Sequence, residues 1–467
     1  MIIRLNRINF IVLFVLLFIS LVRSQDAPER VFLTMDEAIQ RSLGYNNQVR
    51  ASEYGLKKAT WQKRYAWTQL FPRVTLNTRY TWIDDSTFAL RDFSRYFQGD
   101  DLPFGIQIPQ TVFQNSYYTS IDVSMTLFDG ALLNGLFIAN SNEDVASHLD
   151  ESARRNIIFI AVKSFLDVLK NEEILNLQKE YLILSRLNYE KAERLHQAGR
   201  YSKAEVLRWK VDLQQQKSIL VSSESVDRSV RSTLLRVLSF DMRTQIDVDK
   251  NIPEYIIDEA TRLSQLTEDQ ILEIVDIDDQ NLIEANAALS AAMENEYISK
   301  LLYRNSFTNY MPNVALSYSY AWRENNTLKL DDYSPQTLTI NFSIPLFTSF
   351  QNLTDVKTQY YAYKQSQENF QDQLQNTRLL LTQAMNNLLN LRTQKELSAV
   401  NVEYTERNYR IVEQQKEQGL VSNIDFIDAK LNLQNAKIQD ISNHYDFITS
   451  MVELYYLLGN LDSIIDY

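Results

Sequence analysis

Chemistry would require nucleophiles, general bases or metal ligands held close together, and this sequence supplies few. It has no Cys, which removes disulfides, thiolate catalysis, Cys-ligated zinc and lipidation of an N-terminal Cys. Its three His, at His148, His196 and His444, lack metal-ligand spacing and read as solvated helix positions. No Walker-type or Gly-x-Gly-x-x-Gly phosphate loop is present. The net charge of −12 disfavours nucleic acid as a partner. No enzyme constellation, metal site or cofactor site is therefore expected. The side chains that remain of interest lie at two Gly turns and at the ends of four alternating segments.

The turns are Gly199-Arg200-Tyr201-Ser202-Lys203-Ala204-Glu205 and Gly419-Leu420-Val421-Ser422-Asn423-Ile424-Asp425. A Gly with φ > 0 ends one helix, and Ser202 or Ser422 starts the next as N-cap. Both segments therefore mark hairpin tips, about 198–202 and 418–422. Asp425 and Asp428 fall in the first turn of a helix. Taken alone, they read as acids favoured there by the macrodipole.

The elements that hold these turns must be long. The 467 residues include only 9 Gly and 8 Pro, where average usage gives about thirty and about twenty. No Pro occurs between Pro109 and Pro253 or after Pro345, and no Gly between Gly199 and Gly419. The expected helices run over 45–70, 136–197 and 202–239, then over 279–309, 351–417 and 422–458. Each long one spans roughly 90–100 Å. Two short helices stacked end to end would match one long helix, as in the wall of a cylinder. In the last helix, Ile424, Ile427, Leu431, Gln434, Ile438, Ile441, Tyr445, Ile448, Val452 and Tyr455 form a coiled-coil seam. A weaker stripe runs through Phe426, Leu433, Phe447 and Leu454, broken by Asp440.

Residues 1–24 have the pattern of a secretory signal: Arg4 and Arg7, an apolar run from Ile8 to Val22, then small residues before Gln25. An uncleaved anchor is the alternative. No later run is apolar enough to span a bilayer as a helix. Strict alternation appears over about 72–83, 117–128, 312–323 and 336–346, the length of a tilted membrane strand. Tyr80, Trp82, Tyr320 and Trp322 lie at strand ends, where interfacial girdles form. A soluble half-buried sheet would alternate in the same way. Four strands cannot close a barrel, and open edges are not tolerated in lipid. Two copies would give eight strands and a filled interior; three would give twelve and room for a pore.

The chain is written twice, as 25–248 and 249–467. Pro72-Arg73-Val74-Thr75-Leu76 and Tyr80-Thr81-Trp82 match Pro312-Asn313-Val314-Ala315-Leu316 and Tyr320-Ala321-Trp322. Asn188-Tyr189, Gly199 and Ser202 match Asn408-Tyr409, Gly419 and Ser422. Each half opens on capping-box spacing, Thr34 with Glu37 and Thr267 with Gln270. The first hairpin loop is the longer one and carries Asp100, Asp101, Pro103, Gly105 and Pro109.

In these features the chain resembles the TolC-type outer-membrane efflux proteins. The carriers are Leu33-Thr34-Met35-Asp36-Glu37-Ala38-Ile39, the Pro72 and Pro312 strand starts, Leu127-Phe128-Asp129-Gly130, Pro345-Leu346-Phe347 and the two tips. No single motif is specific; the duplicated order is. The resemblance implies a mainly α fold with a small transmembrane β part. It implies a homotrimer with a 12-stranded barrel in outer-membrane lipid and an α-helical coiled-coil barrel projecting into the periplasm. It also implies partners, a periplasmic adaptor and an inner-membrane transporter of RND, ABC or MFS type, in efflux or type I secretion. Adaptor docking would fall on Gly199, Ser202, Gly419 and Ser422. The periplasmic gate would use acidic rings at Asp425 and Asp428. The family's latch Tyr and Arg are replaced here by Lys416 and Val421, and Glu205 stands for an Asp. A Lys416–Glu205 latch is therefore expected. A passive porin explains the strands but not the helices, and a periplasmic scaffold the reverse. The segments 240–266 and 459–467 are expected to pack around the middle of the tunnel. The cargo is not readable.

Overall fold

The protein is described by a computed structural model over residues 30–92, 112–325 and 334–465. The signal-like segment and the polar part of the first hairpin loop lie outside these residues. The elements in order are β1 (Arg30–Leu33), α1 (Met35–Tyr45), α2 (Asn47–Thr68), β2 (Arg73–Trp82), α3 (Asp85–Arg91), β3 (Asn115–Phe128), α4 (Gly130–Gln197) and α5 (Lys203–Val237). The second half gives β4 (Gln245–Val248), α6 (Glu254–Gln265), α7 (Glu268–Val275), α8 (Asp279–Ala285), α9 (Ala287–Ser306), β5 (Asn313–Asn325), β6 (Gln336–Ser343), α10 (Gln351–Glu417) and α11 (Asn423–Leu458). The fold is mainly α with a small sheet part. Among the described residues no helix is long and apolar enough to cross a membrane.

Several bounds differ from the sequence expectation. The first expected helix, 45–70, runs over Asn47–Thr68, and a further helix, Met35–Tyr45, precedes it; the two are separated at Asn46, whose amide Nδ2 donates to the Val237 carbonyl at 2.8 Å. The span 279–309 is broken at Asn286, whose Oδ1 accepts from the backbone of Ala288 and Leu289 and caps α9. Both Asn leave the helical backbone, a choice made favourable at Asn46 by a buried side-chain bond and at Asn286 by the capping bonds of its amide. The first long helix begins at Gly130, six residues before the expected start. Asp129 causes this: its Oδ1 accepts from the Ala131 and Leu132 amides, while its Oδ2 accepts from Asn313. Gly130 is required by close approach, since a Cβ there would lie 2.8 Å from Met311 Sδ and 3.0 Å from Thr308 Cβ. The Asp-Gly pair thus starts a 68-residue helix and ties it to the next hairpin.

The chain forms two compact units. One comprises 1–50, 153–277 and 379–467. Its core holds Phe165, Phe447, Ile158, Leu234, Leu263 and Ile271, all fully buried. β1 pairs parallel with β4, from Arg30 opposite Gln245 to Leu33 opposite Val248. Arg231 fastens this pair to the helices, donating to the Ile246 carbonyl, Asp227 and Glu172. Arg155 holds the carbonyl of Gly459, the left-handed residue that ends α11. Four-residue strands carry too little alternation to be read from sequence. Both expected capping boxes form, at Thr34–Glu37 and Thr267–Gln270.

The other unit comprises 51–152 and 278–378. It contains the antiparallel sheet β2-β3-β5-β6. Lys63 pairs with Glu143 at 2.7 Å, and Arg378 with Asp279. Tyr303 packs edge-on to Phe307 and Tyr360.

Candidate functional site

Two regions carry the residues singled out above, one in each unit. At the tips, Gly199 and Gly419 have φ of +71° and +77°. Arg200 N donates to Leu195 O at 2.8 Å and Gly199 N to His196 O at 2.8 Å, a Schellman closure. Leu420 and Gly419 repeat it on Gln415 and Lys416. Each returning helix then opens with a full capping box. Ser202 Oγ accepts from Glu205 N at 3.3 Å and Glu205 Oε2 accepts from Ser202 N at 2.8 Å. Ser422 and Asp425 repeat this at 3.2 and 3.1 Å. These bonds hold both carboxyls below their ordinary range: the Ser202 backbone does most for Glu205, the Ser422 hydroxyl for Asp425. The sequence offered the N-caps; the reciprocal acids complete them.

The tips meet each other. Glu205 Oε1 accepts from Asn423 Nδ2 at 3.1 Å. Behind them Trp209, Phe426 and Ala192 are buried, with Trp209 and Tyr409 both ringing Phe426 at 5.9 and 5.5 Å. Lys416 lies 6.0 Å from the Tyr201 ring. Burial lowers its pKa, and the field of Glu205 opposes that. The two side chains feel each other, but within one chain Glu205 bonds Ser202 and Asn423, not Lys416. Asp425 and Asp428 are exposed. Asp428 borders an open groove of about 460 Å³ lined by Leu207, Val211, Ile424 and Ile427.

Below the tips runs a buried polar ladder that sequence reasoning missed. Lys430, fully buried, donates to both oxygens of Asp212 at 2.7 and 2.6 Å and to Ser185 Oγ at 2.8 Å. One turn on, Gln434 bonds Gln216 at 2.9 and 3.0 Å and also meets Gln178. Asp212–Lys430 and Gln216–Gln434 share one spacing, so α5 and α11 run parallel in fixed register. Near the tip the weaker stripe of α11 is the more buried one, and farther along the helix both are buried. Phe426, Leu433, Phe447 and Leu454 are buried; in the other stripe Gln434, Ile448, Val452 and Tyr455 are buried too, but Ile424 is exposed and Ile427, Leu431, Ile438 and Ile441 are only half-buried. Hydropathy underweights Ala429, Lys430 and Ala436, which are buried along the inner side of α11.

In the sheet, register aligns the alternation across strands. Val74, Val123, Tyr318 and Leu338 form one row; Leu76, Ile121 and Tyr320 form another. Leu76, Leu338 and Phe342 expose 68%, 65% and 63% of their surface. The expected aromatics share this apolar face near the hairpin-loop end. Tyr80 stacks on Tyr117 at 4.9 Å, and Tyr320 meets Trp322 edge-on at 4.6 Å. Trp82 is exposed, opposite Asn115. Toward the other end of the chain segments, Phe71, Phe347 and Phe350 are exposed as well; they fall outside the alternating runs, which hid them. The opposite face is polar. Asp122 accepts there from Asn77 at 2.7 Å, Ser120 at 2.8 Å and Ser319 at 2.5 Å. Among the described residues β2 and β6 each pair on one side only.

Comparison with known proteins adds the following. Residues 280–460 match the outer membrane efflux protein family. No curated protein matches by sequence. Among solved structures, the outer membrane channel CmeC of Campylobacter jejuni is similar at 15% identity and a TM-score of 0.75, over 91% of this chain and 86% of that one. The outer membrane protein VceC of Vibrio cholerae is similar at 13% identity and a TM-score of 0.73, over 91% and 96%. The open MtrE outer membrane channel of Neisseria gonorrhoeae is similar at 14% identity and a TM-score of 0.72, over 91% and 89%.

Proposed function

We propose that this chain, which carries an outer membrane efflux protein domain over residues 280–460 and the fold of outer-membrane channels, is the outer duct of an export system. It is a homotrimer whose sheets close into a twelve-stranded barrel in outer-membrane lipid, with its helices forming a tunnel in the periplasm. A periplasmic adaptor docks at the tips, and an inner-membrane transporter of RND, ABC or MFS type supplies energy, for efflux or type I secretion. The duct itself performs no catalysis.

The observation that carries this reading is the sheet. It has one apolar face open to the surroundings, one polar face and, among the described residues, two unpaired edges. In water such a face is an aggregation hazard; in lipid it is the required surface. Three copies pair every edge and leave a polar lumen. The half-buried Ile stripe of α11 is likewise available to neighbouring helices in a trimer.

The tips serve as the entrance. In a trimer Asp425 and Asp428 each form a ring of three carboxylates. Lys416 and Glu205 hold the closed state between copies. Single-channel recording in planar bilayers tests the assignment. Lys416→Glu and Glu205→Lys should each raise conductance, and Asp425→Asn with Asp428→Asn should weaken cation preference. Wild-type conductance and selectivity in all of them would remove the gate from these residues.

A further inference from the structure

The polar face of the sheet carries very little charge, and what it carries is unevenly placed. Its positions are mostly Ser, Thr, Asn and Ala. Among the described residues of the sheet the charged exceptions on that face are Arg73, Arg79, Arg323 and Asp122. Arg79 and Arg323 share one row, since each is paired with Tyr118 from either side. Their backbones are therefore about 10 Å apart, two strand spacings. Arg323 is steadied on the Tyr118 ring at 5.8 Å. Both guanidiniums are exposed, and neither has an ion-pair partner among the described residues.

Asp122 does not neutralise them. It lies four positions farther along the strand, with its oxygens engaged by Asn77, Ser120 and Ser319. Glu324, next to Arg323 in sequence, points to the opposite face by the alternation of the strand, and is buried. Arg73, at the far end of the same face, adds charge of the same sign. The tips in the other unit present carboxylates; this face presents guanidiniums.

We infer that Arg79 and Arg323 form an oxyanion-binding step on the polar face of the sheet, favouring solutes that bear carboxylate, sulfonate or phosphate groups. A planar guanidinium bonds such groups in two-point fashion, and an unpaired one in a restricted polar duct attracts them over distance. Three chains would place six guanidiniums in one ring. The inference rests on the channel reading, because only a closed sheet turns this face into a lumen.

The test uses the full-length trimer in planar bilayers under a KCl gradient. Reversal potential gives the ratio of K⁺ to Cl⁻ permeability. The pair Arg79→Gln and Arg323→Gln should raise that ratio several-fold, and Arg79→Lys with Arg323→Lys should restore it toward wild type. Tripolyphosphate at millimolar concentration should also reduce the wild-type current, a readout that needs no variant. A Gln pair that conducts with an unchanged ratio overturns the binding step alone, as does wild-type current insensitive to tripolyphosphate. If the wild-type protein forms no channel at all, the channel reading fails first and the binding step with it.

Discussion

Single residues decide how the tips hold together, and the most telling of them is Lys430. An ammonium with no exposure, bonded to both oxygens of Asp212 and to Ser185, gains little net stability over an apolar pair, because both ions were taken out of water. What it gains is register: displaced by one turn, α5 and α11 would each bury an unpaired charge. Lys430→Met should therefore cost about 3–5 kcal/mol in the local opening free energy of α5 and α11. Combining it with Asp212→Leu should recover most of that loss. Amide hydrogen exchange along the two helices reads both changes; a single variant as stable as wild type would mean that the pair sets nothing. This ladder was not legible in the sequence. Lys430 and Asp212 look like solvated positions until the helices that cover them are placed, and Gln434 looks like a lone polar interruption of an apolar seam. The Gly turns and Ser caps were legible because φ > 0 and N-cap bonding are local demands that few residue types meet.

At the scale of elements, the long helices were readable from what they lack. α10 spans Gln351–Glu417 with no Gly or Pro inside it, and interior breakers would have cost about 1–3 kcal/mol each. Its partner α4 was legible in its body but not at its start, where a tertiary contact decides. Asp129 caps that helix while holding Asn313, and Gly130 lets it approach Met311 and Thr308. Gly130→Ala should destabilise this junction by about 1–3 kcal/mol through overpacking, with protection lost at the first turn of α4 and at residues 308–313. Uniform exchange behaviour in the variant would show that Met311 swings aside at no cost. The breaks at Asn46 and Asn286 follow the same logic, since a buried or capping amide outweighs continued helix. The strands were legible as strands by their alternation. Their medium was not, because lipid and a protein core ask for the same period of two.

For the whole molecule, the sheet and the tips place opposite demands on one chain. Its sheet is complete in hydrogen bonding only when other strands cover β2 and β6. Its tips are complete in themselves, closed by Schellman turns, capping boxes and the Glu205–Asn423 bond. On the proposed reading, an entrance built from self-sufficient hairpins could separate without unfolding, while a barrel built from incomplete sheets could not separate without exposing its edges. Copy number is therefore the quantity on which the export-duct reading turns. The absence of Cys from the sequence makes it directly measurable. With Thr75→Cys on β2 and Thr339→Cys on β6, both exposed on the polar face, a short bismaleimide linker applied to intact outer membranes should join chains edge to edge. A ladder of one, two and three chains that stops at three is the predicted result. A ladder that stops at two, or uncrosslinked protein in the soluble fraction, would contradict the twelve-stranded duct.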